Sequence, residues 1–125
     1  MLSKEEKILI VDDMRMIRKS ITKILGEIGY DNVIFAENGE QAVTKHREEK
    51  PGMIFLDVVM PKMTGDEALE LIREADANVP IVMLTSVADK TLMDKCQRLG
   101  ISGYVLKPVT QDNGPDLLFN YLANA

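Results

Sequence analysis

Five short runs of almost uninterrupted apolar residues constrain this chain more than any other feature: 7–11 (KILIV), 33–36 (VIFA), 53–56 (MIFL), 81–84 (IVML) and 104–106 (YVL). A strand with one wet face alternates polar and apolar residues. Continuous apolarity marks a strand covered on both faces. The segments between the runs carry helical spacing instead. Met14, Ile17, Ile21, Ile24, Leu25 and Ile28 recur mostly three or four residues apart, and Gly29 follows where a helix C-terminus favours a left-handed residue. A second helix follows Asn38, a capping residue with Gln41 placed to reach back; a third follows Thr64, with Glu67 three residues on in a capping-box pattern. The fourth spans roughly 89–99, with Leu92, Met93, Cys96 and Leu99 on one stripe and Gly100 as its stop. The fifth follows Pro115, a residue suited to a first helical turn. Strand alternating with helix five times predicts a three-layer, doubly wound α/β fold: a five-stranded parallel sheet between helices, wound by right-handed crossovers.

The 125 residues (14.0 kDa) suffice for one domain with its own core, and neither a repeat nor a linker divides them. Residues 1–125 are therefore expected to be one domain without an attached effector module, and the start and finish suggest a whole protein. Fifteen basic against twenty acidic side chains give a net charge of −5, which repels phosphate backbones and anionic membrane surfaces. A single cysteine excludes an internal disulfide and fits a reducing compartment. The opening MLSKEEK is too charged for a signal peptide, and no apolar run approaches the ~20 residues of a membrane span. A cytoplasmic monomer is expected, binding neither nucleic acid nor membrane.

In open parallel sheets, ligands bind outside the carboxyl ends of the strands, so the residues there carry the chemistry. The first run ends in Asp12 and Asp13, the third in Asp57, the fourth in Thr85, the fifth in Lys107 and Pro108. The second delivers only Glu37 and Asn38, as suits a strand at the sheet edge. Taken singly, each residue has an ordinary explanation: a helix cap, a turn aspartate, a surface lysine. Four suitable groups at four strand ends are a stronger signal. Crowded carboxylates raise one another's pKa unless compensated. A hard divalent ion such as magnesium, with the lysine, would balance their charge. Such a pocket can accept a phosphoryl group: a carboxylate is a competent nucleophile, and phosphoryl transfer needs mainly positioning and charge neutralisation. Asp57, between the acidic pair and Lys107, is the central candidate.

With VDD at 11–13, LDVVMPKMTG at 56–65, MLTS at 83–86 and GYVLKP at 103–108, the chain resembles the receiver domain of two-component response regulators along essentially its whole length. The resemblance implies the flavodoxin-like strand order 2-1-3-4-5. It implies Asp57 as phosphoacceptor, Asp13 as a direct Mg²⁺ ligand with Asp12 in the same acidic pocket, and the main-chain carbonyl of Val59 as a further ligand. Mn²⁺ is expected to substitute. Thr85 and Lys107 would contact the phosphoryl oxygens, the Lys107–Pro108 bond would be cis, and Tyr104 would turn inward as Thr85 moves toward the phosphate. The donor would be a sensor histidine kinase or phosphotransfer protein, and the output a contact with a downstream protein. A chemotaxis-type regulator is expected, with a phosphorelay intermediate or stand-alone adaptor as the alternative. The receiver modifies itself and turns over no outside substrate.

Val59 and Val87, two residues after Asp57 and Thr85, cannot hydrogen-bond an attacking water, so dephosphorylation should be set by access. The stretch VTQDNG before Pro115 makes the last helix late and short. Cys96 and His46 are expected to be structural, and the eight methionines to be mostly core filler. Three other functions fail on motif. A flavodoxin-type carrier needs a phosphate loop where this chain has Asp12–Asp13. A dehalogenase-type phosphatase needs an acid where Val59 stands. A nucleotide hydrolase needs a GxxxxGK[ST] loop.

Overall fold

Parallel pairing joins all five apolar runs. The computed structural model describes residues 1–125 and contains β1 (Ile8–Val11), β2 (Val33–Ala36), β3 (Met53–Leu56), β4 (Ile81–Thr85) and β5 (Gly103–Leu106). They form one sheet in the order β2-β1-β3-β4-β5, with Ile8 in register with both Val33 and Met53. The helices are α1 (Arg15–Glu27), α2 (Gly39–Glu49), α3 (Gly65–Ala75), α4 (Lys90–Leu99) and α5 (Gly114–Ala123). The doubly wound fold and the strand order expected from sequence are both observed.

Side-chain alternation along the strands sorts the interior into two cores. Leu9, Val11, Ile54, Leu56, Ile81 and Met83 meet Ala42, Ala68, Leu69, Ile72 and Cys96 on the side of α2, α3 and α4. Ile8, Ile10, Met53, Phe55, Val82 and Leu84 meet Ile21, Ile24, Leu25, Leu118 and Leu122 on the side of α1 and α5. The central strands β1, β3 and β4 are buried at every position, which is why their sequences do not alternate. Because α1 covers one face and α2 the other, the winding reverses between β1 and β3, and a crevice opens there.

The helix ends mostly follow the sequence signals. Asn38 Oδ1 accepts from the Gln41 N–H at 2.9 Å, although Gln41 reaches back to the N–H of Glu37 rather than to that of Asn38. Glu67 Oε1 accepts from the N–H and hydroxyl of Thr64, Asp89 caps α4, and Gly29 and Gly100 take φ of 96° and 98°. Two expectations need correction. Met14 does not lie on the buried stripe of α1; it precedes the helix and is 55% exposed. Nor are the methionines mostly core: Met53, Met60 and Met83 are buried, while Met1, Met14 and Met16 are exposed. Apolar character at a helical spacing does not by itself fix which flank faces the sheet.

The stretch before α5 is an ordered turn. The Thr110 N–H donates to Asn113 Oδ1 (2.8 Å) and the Asn113 N–H to Thr110 Oγ1 (3.2 Å), and α5 starts at Gly114 with Pro115 in its first turn. The helix is short, but Leu118 and Leu122 are fully buried, and the Leu2 N–H donates to the Leu122 carbonyl at 2.9 Å. No helix is long and apolar enough to cross a membrane.

Candidate functional site

The sheet's hydrogen bonding continues past the strand ends and sets the site's floor. The Asp12 N–H donates to the Ala36 carbonyl (3.1 Å), that of Asp57 to Val11 (3.0 Å), and that of Lys107 to Thr85 (2.9 Å). Asp12, Asp57, Thr85 and Lys107 therefore end four adjacent strands at one level. The loop after β3 folds back over this edge: the Gly65 N–H donates to the Val58 carbonyl at 2.8 Å. A Cβ at Gly65 would collide with the Asp57 main-chain carbonyl, so only glycine allows this approach.

Lys107 closes the crevice. Its Nζ lies 2.5 Å from Asp12 Oδ2 and 3.3 Å from Asp57 Oδ2. The other carboxylate oxygens accept from the main chain, Asp12 Oδ1 from the Met14 N–H (2.9 Å) and Asp57 Oδ1 from the Val58 N–H (2.8 Å). Asp12 and Asp57 are buried; Asp13 reaches the same space from the solvent side. Carboxylate oxygens of Asp12, Asp13 and Asp57 lie within 4.8 Å of one another. Burial holds the Asp57 carboxyl above the ordinary aspartate range. Lys107 and the Thr85 hydroxyl oppose that shift, and the charge on Asp12 adds to it. One ammonium leaves excess negative charge among three carboxylates, and this all-oxygen set suits a hard divalent cation.

Thr85 is fully buried, and its Oγ1 accepts from the Val87 N–H at 3.3 Å. The Tyr104 hydroxyl donates to the Val87 carbonyl at 2.7 Å, and its ring packs against the α2–α3–α4 core. The main chain of Val87 thus links the hydroxyl at the end of β4 to the aromatic ring on β5. The Lys107–Pro108 peptide is cis. The Val59 side chain is 57% exposed and offers no polar group to the crevice.

Every candidate from the strand ends lies at this one edge. Sequence reasoning missed Arg18, whose guanidinium donates to the Asp12 main-chain carbonyl (2.7 Å) and stands 3.6 Å from Glu37. Its only signal was an arginine near the start of the helix that follows the aspartates, and Arg15 beside it carries the same mark. It also missed the bridge through Val87, since a main-chain link leaves no mark on residue type. His46 is buried and bonds Asp76 Oδ2 at 3.0 Å, and the Cys96 thiol, in the core, is pushed up by burial.

A doubly wound α/β domain with a lysine-closed carboxylate crevice at its switch point is the architecture that the sequence resemblance implied. The chain belongs to the response regulator receiver domain family, whose model matches residues 8–118. It is 36% identical over 106 residues to the chemotaxis protein CheY of Bacillus subtilis, covering 85% of this chain and 88% of that protein. It is 41% identical over 107 residues to a probable transcriptional regulator, ycf27, of Guillardia theta, covering 86% of this chain but 41% of that longer protein. Among solved structures it resembles a chain of the CheX–CheY–BeF3–Mg²⁺ complex from Borrelia burgdorferi, with a TM-score of 0.85 at 29% identity, covering 95% of this chain and 87% of that one.

Proposed function

We propose that the chain is a phosphorylation-activated switch in which Asp57 accepts a phosphoryl group from the phosphohistidine of a sensor kinase or phosphotransfer protein. The observation that carries this reading is Lys107 Nζ held against both Asp12 and Asp57 at the mouth of a buried carboxylate crevice. An Asp57 carboxylate oxygen attacks phosphorus in line with the scissile P–N bond; the bond's electron pair leaves on the imidazole nitrogen, which takes up a proton. Lys107 turns from Asp57 to the incoming phosphoryl oxygens, and the Thr85 hydroxyl donates to another. Asp12, Asp13, Asp57 and the Val59 carbonyl would hold Mg²⁺, or Mn²⁺ in its place, which when bound neutralises charge on the transferring group. Hydrolysis of the acyl phosphate resets the switch, so the chain catalyses only its own modification and its release.

The switch follows from the Val87 bridge. A Thr85 hydroxyl recruited to phosphate gives up the Val87 N–H, and the loop whose carbonyl holds Tyr104 is freed to repack. Tyr104 then settles inward, and the surface of α4, β5 and α5 changes shape for a downstream protein. The match to CheY over most of both chains supports a chemotaxis-type output.

Intact mass after incubation with Mg²⁺ and acetyl phosphate tests the reading. The wild type gains one phosphoryl group and Asp57→Asn gains none. Failure of the wild type to take up phosphoryl or to bind beryllofluoride overturns it.

A further inference from the structure

We propose that the flank of α1 facing β2 is a docking surface for an acidic, partly apolar segment of a partner protein. Positions 15–23 hold four of the chain's 15 basic residues and no acidic one. Arg15, Lys19 and Lys23 recur every fourth residue and so share one side of the helix, along about 12 Å. Arg18 stands beside them and is engaged by the Asp12 carbonyl and Glu37, whereas Arg15, Lys19 and Lys23 take part in none of the chain's ion pairs. Arg15 and Arg18 also stand near the start of the helix, whose first turn holds no acid of its own, while Asp12 just ahead of it accepts from the Met14 N–H. The like-charge spacing of Arg15, Lys19 and Lys23 disfavours the isolated helix, and a bound anion relieves it.

The basic row has an apolar neighbour. Val33 packs into the α1–α5 core, and Phe35, two residues further along β2, projects to the same side of the sheet. With β2 at the sheet edge, its ring remains 42% exposed. Arg15, Arg18, Lys19, Thr22, Lys23 and Phe35 line a recess of about 440 Å³. The complement of this surface is a helix with glutamates every fourth residue and a leucine to cover Phe35. The chain's net charge of −5 repels any anion at long range. It repels a nucleic acid, with its dense phosphate charge, more than a short acidic segment that also covers Phe35, which favours a protein ligand. The surface contains none of the crevice's side chains, so the inference stands apart from the phosphoryl chemistry.

The test titrates ¹⁵N-labelled protein with a helical peptide bearing glutamates every fourth residue and one leucine. Amide shifts are expected at 15–23 and 33–36, fading as salt rises. Lys19→Glu/Lys23→Glu should weaken binding by about tenfold or more, and Phe35→Ser severalfold. Both variants should still take up phosphoryl on Asp57, which reads the fold and the crevice separately from docking. Absence of shifts at low salt overturns the proposal, as does undiminished binding by the charge-reversed variant. Tighter binding of an oligothymidylate or of phosphatidylglycerol vesicles than of the peptide also overturns it.

Discussion

At the residue scale, the site combines two buried acids that share one lysine with two valines that offer no polar group. Asp12 and Asp57 share Lys107, whereas Val59 and Val87, two residues beyond Asp57 and Thr85, bring only hydrocarbon. On the proposed function, water attacking an acyl phosphate on Asp57 would find no polar side chain at either position to orient it. Val59→Asn and Val87→Glu are expected to change the rate of phosphoryl loss severalfold, the amide accelerating it, as followed by intact mass after removal of the donor. Unchanged rates in both variants would mean that access is not the control. Residue identity made most of this site legible in advance, because a charged or hydroxyl group at the end of an otherwise apolar strand is conspicuous. Arg18 and the Val87 main chain were not legible. The first acts through a carbonyl six residues away, and the second through atoms that every residue has.

At the element scale, strands were easier to read than helix flanks. Burial on both faces removes polar residues from a strand, so β1, β3 and β4 stand out. Helices such as α1 carry apolar residues beyond their buried stripe, as Met16 shows. The end of α3 shows how a loop is fixed by a single acid. Asp76 accepts from His46 Nε2 at 3.0 Å and from the N–H groups of Asn78 (2.9 Å) and Val79 (3.1 Å), tying α2 to the entry into β4. The His46 hydrogen bond, followed by those from the main chain, holds the Asp76 carboxyl below the ordinary aspartate range. An acid lowered by folding contributes stability above its unfolded value, and that contribution is lost as pH falls through the folded value. The stability advantage of wild type over Asp76→Asn should therefore be full at neutral pH and shrink below about pH 4. Urea midpoints across that range would check it, and an advantage growing toward acid would refute it. The short α5 makes a second prediction. Leu118 is fully buried among the α1–α5 core residues, so Leu118→Ala should cost about 2–5 kcal/mol in chemical denaturation. A loss near zero would mean that α5 is not docked.

At the scale of the whole molecule, the fold is stabilised by two apolar cores while its charged edge opposes them. Asp12 and Asp57 are removed from water by the sheet that positions them, and burial makes ionisation of Asp57 unfavourable. Lys107 compensates only part of this charge, so anything that completes the compensation in the native state must also stabilise the fold. By linkage, a ligand at one hundred times its dissociation constant adds about 2.7 kcal/mol. For a domain of 125 residues that corresponds to a rise in melting temperature of roughly 10 °C. Mg²⁺ with beryllofluoride should produce a rise of this order, Mg²⁺ alone a smaller one, and a chelator should abolish both. Asp13→Asn should weaken the response to Mg²⁺ while barely changing the melting temperature without metal, because Asp13 is exposed and makes no ion pair in the crevice. Asp57→Asn should keep some response to Mg²⁺ but lose the further increment from beryllofluoride. Equal shifts in wild type and both variants would place the bound ion elsewhere and detach the crevice from the switch.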